Sequence, residues 1–135
     1  MTQATTPRHV LGIHHVALVV DDLDAARRFY VDQLGLAVNP SRPEFGVPGL
    51  WLDAGGEQIH LIAVPDGRAV PEGAPRSPLE GHVALEVDDL AATVAGLEAA
   101  GVEMLSVNPD RGAGAQGVLL DPAGNRIELN QPARS

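Results

Sequence analysis

Apolar and polar residues alternate along short stretches of this chain. An alternating, β-branched run over residues 13–20 predicts a strand. Asp-Asp-Leu follows, and an aspartate there can cap the first free N–H groups of a helix. Apolar residues then recur every three or four positions up to Leu34, and Gly35 stands where such a helix ends. Three shorter strands are predicted next, at 36–38, 47–53 and 57–64.

The second half of the chain repeats this order. His15-Val-Ala-Leu-Val-Val-Asp-Asp-Leu23 returns at an offset of 67 residues as His82-Val-Ala-Leu-Glu-Val-Asp-Asp-Leu90. Gln58-Ile-His-Leu-Ile62 returns at an offset of 68 residues as Arg126-Ile-Glu-Leu-Asn130. A helix from Leu90 to Gly101 and strands at 102–107, 116–121 and 125–131 complete the match. The pattern predicts an α+β protein made of two tandem βαβββ modules.

The module boundaries follow from composition. The whole chain, 1–135, is expected to form one domain, with the first module at about 10–65 and the second at about 80–131. The stretch 66–79 between them is rich in proline and glycine and is predicted to be a linker that lets the halves separate.

Strand alternation predicts a polar face opposite the helices. Side chains of neighbouring strand residues point to opposite sides, so the apolar positions collect under the helices and the polar positions on the other side. That polar face is predicted to carry His15, Gln58, His60, His82, Glu86, Arg126, Glu128 and Asn130. Buried polar groups cost free energy unless they are paired or bound to metal. Imidazole nitrogen and carboxylate oxygen suit Ni, Zn, Co, Mn or Fe(II), so one divalent metal per site is predicted.

The repeat decides which histidines are candidate ligands. A single histidine is more often an ordinary core or surface residue, and His9 and His14 are interpreted in that way. His15 and His82 share one repeat position, however, and His60 and Glu128 share another. Because coincidence is a poor account of both pairs, these four residues are predicted to hold the metal.

The amino-acid composition excludes several kinds of site and of binding partner. The chain has no cysteine, which excludes thiolate metal sites, and all nine basic residues are arginine, which excludes lysine chemistry. The formal net charge of −9 and the low aromatic content argue against binding to nucleic acid or to anionic lipid. The N-terminal stretch lacks a signal-peptide pattern and no run is long enough to span a membrane. We therefore expect a soluble, cytoplasmic protein with a small-molecule substrate.

At these residues the sequence resembles the vicinal oxygen chelate superfamily, which includes glyoxalase I, methylmalonyl-CoA epimerase, extradiol dioxygenases and bleomycin-binding proteins. The matching motifs cover nearly the whole chain. They are the His15 and His82 segments quoted above, Arg28-Phe29-Tyr30, Leu34-Gly35-Leu36 and Asp121-Pro-Ala-Gly-Asn-Arg-Ile-Glu128-Leu. The resemblance implies a cupped mixed sheet around the metal, with ligands on the first and last strands of each module. In short chains it also implies a homodimer of the domain-swapped type, whose two sites are shared between subunits.

The leading functional hypothesis is a glyoxalase I-like lyase or isomerase that acts through a metal-bound enediolate. Glu128 would loosen from the metal and act as general base. Substrate contacts are assigned to Arg126, Asn130, Gln58 and Arg111. Glyoxalase I of this size usually has glutamate where this chain has His60.

Two alternatives stay open. Without His60, the remaining ligands form the two-histidine, one-carboxylate set of an Fe(II) extradiol-type dioxygenase. The third hypothesis is a metal-free drug-binding resistance protein.

Overall fold

The computed structural model describes residues 9–66, 81–110 and 114–133. These residues form β1 (His15–Val20), α1 (Leu23–Arg27), β2 (Ala37–Val38), β3 (Gly49–Ala54), β4 (Glu57–Ala63), β5 (Val83–Glu86), α2 (Leu90–Ala99), β6 (Met104–Asn108), β7 (Ala115–Leu120) and β8 (Arg126–Gln131). A π-helical segment, Arg28–Gln33, continues α1. The order is βαβββ twice, which confirms the predicted α+β class.

Both helices begin at the Asp-Asp-Leu motifs. Asp22 Oδ1 accepts a hydrogen bond from the Ala25 N–H at 3.0 Å, and Asp89 Oδ1 accepts one from the Ala92 N–H at 3.0 Å. The first helix is not regular over its predicted length, because the Leu34 N–H bonds to a carbonyl five residues back rather than four. Gly35 and Gly101, at φ of 83° and 85°, then take the left-handed conformation that ends each helix.

The strands form two separate four-stranded sheets, ordered β1-β4-β3-β2 and β5-β8-β7-β6. In each sheet the first strand runs parallel to the last, and the other pairs are antiparallel. Among the described residues β1 pairs only with β4, and β5 only with β8, so each keeps one free edge. Hydrogen bonds between strands of the described residues therefore do not join the two sheets into one.

The strand register reproduces the internal repeat. Ala17 stands opposite His60 between β1 and β4, and Ala84 stands opposite Glu128 between β5 and β8. His60 and Glu128 thus occupy equivalent positions of the two sheets. The register also turns Val16, Leu18 and Val20 inward and leaves His15 exposed, as alternation predicts.

The helices and the inner sheet faces share one apolar core. Its fully buried members include Val20, Tyr30, Leu52, Ile59, Leu61, Leu97, Leu119, Ile127 and Leu129, from both modules. A buried hydrogen bond of 2.6 Å from Tyr30 Oη to Asp121 Oδ2 joins the first helix to the turn between β7 and β8. In this turn the Gly124 N–H donates to the Asp121 carbonyl at 3.0 Å.

The predicted linker lies largely outside the described ranges, because its residues 67–79 are not among them. Residues 111–113, between β6 and β7, also lie outside. Within the described residues, no helix has the length and apolar character needed to cross a membrane.

Candidate metal centre

Three rings stack on the open face of the first sheet. Trp51 on β3 pairs directly with His60 on β4, and their ring centroids lie 4.3 Å apart at 9°. His15 on β1 lies on the other side of His60, at 3.9 Å and 14°. We call His15, His60 and Trp51 the ring stack. Trp51 and His60 come this close because neighbouring strands are spaced about 4.7–4.9 Å apart. His15 stands opposite Gln58 and reaches the His60 ring diagonally.

The stacked geometry prevents His15 and His60 from binding the same ion as they stand. An imidazole nitrogen binds a metal with a lone pair that lies in the ring plane, at roughly 2.0–2.1 Å. Two planes inclined by 14° and separated by stacking converge far beyond that distance. One of the two rings would have to rotate out of the stack before both could be ligands.

Hydrogen bonds distinguish the two imidazoles further. His15 Nδ1 lies 2.8 Å from His14 Nδ1, which leaves His15 Nε2 available. His60 Nε2 instead donates to Gln58 Oε1 at 2.8 Å. Burial, and next the electrostatic influence of the neighbouring His15, His14 and Arg42 side chains, lower the pKa of His60. Of these two imidazoles, His15 is therefore the better placed candidate ligand, and His60 is its stacking partner.

The second sheet carries a nitrogen and oxygen pair. His82, just before β5, places Nε2 3.6 Å from Glu128 Oε1 on β8. Two donors bound to one ion at about 2.0–2.2 Å are separated by roughly 3.0–3.6 Å in the usual geometries. This spacing therefore fits two ligands of one ion. The other carboxylate oxygen, Glu128 Oε2, accepts a 3.4 Å contact from Asn130 Nδ2.

The four predicted ligands form two pairs rather than one cluster. Across residues 9–66, 81–110 and 114–133, no group of three or more histidine, aspartate or glutamate side chains is placed to hold a metal ion. We call His15 with His60 the first half-site, and His82 with Glu128 the second. A cleft of about 580 Å³ between the modules is lined by Gln58 and Glu86 but by none of the four.

The predicted substrate-binding residues are placed differently from one another. Gln58 and Asn130 contact His60 and Glu128, so each belongs to a half-site. Arg126 is buried, with 7% of its surface exposed, although alternation predicted it on the polar face. Arg111 lies outside the described residues.

The family comparison agrees with this duplicated architecture. The model of the Glyoxalase/Bleomycin resistance protein/Dioxygenase superfamily matches residues 12–129. The chain belongs to this superfamily.

Several proteins of this superfamily are similar to the chain over most of its length. The mitochondrial methylmalonyl-CoA epimerase of Homo sapiens is 32% identical over 129 residues, covering 88% of this chain and 73% of the relative. Glyoxylase I 4 of Arabidopsis thaliana is 26% identical over 129 residues, covering 93% and 74%. A glyoxalase/dioxygenase from Nostoc punctiforme has the same fold, with a TM-score of 0.80, 21% identity and 99% of both chains covered.

Four residues of the ring stack and its surroundings were not predicted as site residues: Trp51, His14, Arg42 and Phe45. Trp51 could have been found, since alternation along β3 puts it on the face of His60. His14 was interpreted as an ordinary surface residue, yet it contacts His15. Arg42 and Phe45 lie in the loop between β2 and β3, where no periodic pattern indicates which way a side chain points.

Proposed function

We propose that the protein is a divalent-metal-dependent lyase or isomerase of the glyoxalase type, acting on a small substrate with vicinal oxygens. The observation that carries the proposal is the 3.6 Å spacing of His82 Nε2 and Glu128 Oε1, which suits two ligands of one ion, together with His15 at the equivalent position of the first module. Each sheet thus brings donor groups to the same place on its open face. Such a duplicated set of nitrogen and oxygen donors suits a divalent metal.

We further propose that the complete centre forms between two copies of this chain. Each half-site has too few donors to hold an ion alone, since structural and catalytic zinc sites use three or four protein ligands. His15 on β1 and His82, directly before β5, lie at strands that each keep one free edge in the described part of the chain. Val19, 41% exposed, and Ile13, 71% exposed, add apolar surface beside β1. A homodimer would cover these edges and complete two centres by symmetry.

His15, His82 and Glu128 would hold the metal in this homodimer. The ring stack keeps His60 turned away from coordination and holds the His15 ring in place. Ni, Zn, Co, Mn or Fe would fit such donors. When bound, the ion supplies Lewis-acid chemistry that makes the C–H next to a substrate carbonyl more acidic.

Glu128 is proposed to move the proton. Its side chain is 16% exposed, so a substrate can reach it, and Asn130 Nδ2 orients the oxygen that faces away from His82. A carboxylate held this way can take a proton from one side of a substrate carbon and return it to another position.

Glu128→Gln tests that role. The variant is expected to keep part of its metal and to lose at least about a hundredfold in proton transfer, because an amide cannot accept the proton. The readouts are solvent-deuterium incorporation into methylmalonyl-CoA and isomerisation of the methylglyoxal–glutathione adduct. Glu98→Gln on α2 is the matched control, and it should behave as wild type. Turnover in Glu128→Gln at the level of this control would reject Glu128 as the base.

His14→Ala tests whether the His14 contact orients a ligand. A hydrogen bond to the second nitrogen of a metal-binding imidazole fixes its tautomer and direction, and losing it typically weakens metal binding about tenfold or more. Titration with Zn or Ni should therefore give that loss for His14→Ala. The control His9→Ala, at another exposed histidine, should bind as wild type. Equal affinities for the two variants would mean that His15 is oriented without His14.

An Fe(II) dioxygenase is the second candidate function, and the ring stack is the observation that favours it. With His60 held in the stack, His15, His82 and Glu128 are left as a two-histidine, one-carboxylate set. Oxygen uptake with catechols by the iron-loaded protein would support this reaction over the isomerase.

The most general test is elemental analysis of protein purified without chelator or histidine tag. The proposal predicts one divalent metal per site. A metal-free sample that also binds none of Ni, Zn, Co, Mn or Fe would refute both enzymes and leave the metal-free drug-binding function.

A further inference from the structure

The loop between β2 and β3, residues 39–48, is fixed to the sheet at its start. The Asn39 N–H donates to the Trp51 carbonyl at 2.8 Å, and Asn39 Nδ2 donates to Asp53 Oδ1 at 2.9 Å. Asn39 Oδ1 in turn accepts from the Ser41 N–H at 2.9 Å. Three prolines further restrict the loop backbone. The loop therefore holds its side chains beside the ring stack with little freedom.

Arg42 projects from this loop without a carboxylate partner. Its Nη2 donates to the Val47 carbonyl at 2.6 Å, and its guanidinium carbon lies 5.2 Å from the centre of the Phe45 ring. Gly49 leaves room for it, since a Cβ there would lie 2.9 Å from Nη2. No carboxylate among the described residues forms an ion pair with Arg42, although the chain has 18 acidic residues.

Phe45 gives Arg42 an apolar neighbour that faces solvent. It is 58% exposed, and its ring centre lies 6.2 Å from that of Trp51, the outer member of the ring stack. The Arg42 guanidinium thus lies against Phe45, and Phe45 lies against Trp51, which stacks on His60. An exposed aromatic ring beside an unpaired cation can bind an anion that carries an apolar group.

We propose that Arg42 and Phe45 form the substrate-specificity subsite of this protein, which selects small carboxylates with an apolar substituent. The inference rests on the proposed function only in placing the reacting end of the substrate at the half-sites. Arg42 presents several N–H donors, of which one is used by Val47, so a carboxylate can accept the others. Phe45 covers the apolar part of the substrate.

Three probes separate charge from apolar contact. Mandelate has a carboxylate and a phenyl group, mandelamide lacks the charge, and lactate lacks the phenyl group. Binding is followed by the fluorescence of Trp51, which is the one tryptophan of the chain and contacts Phe45. Wild type should bind mandelate at least about tenfold more tightly than either of the other probes, because a charge-assisted hydrogen bond and ring burial each contribute at least this factor.

Single substitutions test which residue causes the preference for the charge and which causes the preference for the phenyl group. Arg42→Gln should bring the ratio of mandelate to mandelamide affinity close to one. Phe45→Ala should weaken both of these probes and keep their ratio. Arg27→Gln, at an exposed position of α1, removes the same charge elsewhere and should change neither value. Both affinities in each ratio of mandelate to mandelamide binding are measured on the same protein. Partial unfolding of a variant would therefore weaken both and would leave their ratio unchanged.

The three probes are titrated into chelator-treated and into metal-loaded protein. The comparison distinguishes failure of this inference from failure of the proposed function. The charge preference should persist without metal, whereas the proposed function fails if no metal binds. The subsite is refuted if Arg42→Gln keeps the wild-type ratio, if wild type binds mandelamide as tightly as mandelate, or if none of the probes changes the Trp51 emission.

Discussion

Replacing Asp121 with alanine should destabilise the protein by about 3 kcal/mol or more. The carboxylate is 4% exposed and accepts from Tyr30 Oη at 2.6 Å. It also accepts from the backbone N–H groups of Ala123 and Asn125, at 3.0 Å and 2.7 Å, and from Asn125 Nδ2 at 2.9 Å. Alanine leaves these donors without the acceptor that they share, and an unsatisfied buried donor costs about 1–3 kcal/mol.

The effect should extend beyond the turn that holds Asp121. Asn125 Nδ2 also donates to the Val19 carbonyl of β1 at 3.0 Å, and Tyr30 belongs to the first helix, so the cluster ties the two modules together. Burial, and then the charge of Asp121, raise the pKa of Tyr30, which keeps its hydroxyl protonated as the donor. Loss of the carboxylate should therefore weaken docking of the modules as well as the turn.

Urea unfolding followed by circular dichroism measures this loss. Asp32→Ala, at an exposed aspartate of the π-helical segment, is the matched control and should change stability by no more than about 0.5 kcal/mol. Tyr30→Phe removes one of the donors and should fall between the two. A midpoint for Asp121→Ala equal to that of Asp32→Ala would contradict the structural role assigned to this cluster.

The sequence could predict the elements and faces of the fold because both follow from short-range patterns. The Asp-Asp-Leu motifs do cap both helices, and Gly35 and Gly101 do end them. Alternation placed His15, Glu128 and Asn130 on the less buried faces of their strands. The offsets of 67 and 68 residues correspond in the structure to matching register positions of the two sheets.

Features that depend on packing between elements could not be predicted in this way. Strand alternation states which face His60 lies on, but the stacking on His15 depends on side-chain rotation. Arg126 follows the same alternation as Glu128 and is nevertheless buried. The contact of Arg42 with Phe45 is made inside a loop and depends on the backbone path that Asn39 and the prolines impose.

The structure also bears on whether His60 is a metal ligand, which the sequence did not decide. A glutamate at this position could turn toward an ion without leaving an aromatic stack, whereas His60 lies between His15 and Trp51. We therefore expect His60 to support His15 rather than to bind the metal.

In the proposed homodimer, each metal centre combines the first half-site of one chain with the second half-site of the other. His15→Ala and His82→Ala each remove one ligand from every such centre, so each variant alone should bind metal weakly. If the two variants are unfolded together and refolded as a mixture, half of the dimers contain one chain of each kind. In those dimers one centre carries both defects and the other carries none.

The deciding measurement is the number of high-affinity Zn or Ni sites in that refolded mixture. Sites shared between subunits predict about one quarter of the wild-type number, since half of the dimers regain one of two centres. As a control, wild type is refolded in equal amount with a His15→Ala/His82→Ala double variant. Compared with the same total amount of pure wild type, this mixture should have about one quarter of the sites if they are shared, and about one half if each centre lies within one chain. A mixture of the single variants with no high-affinity sites, beside a control at one half, would contradict the shared centre.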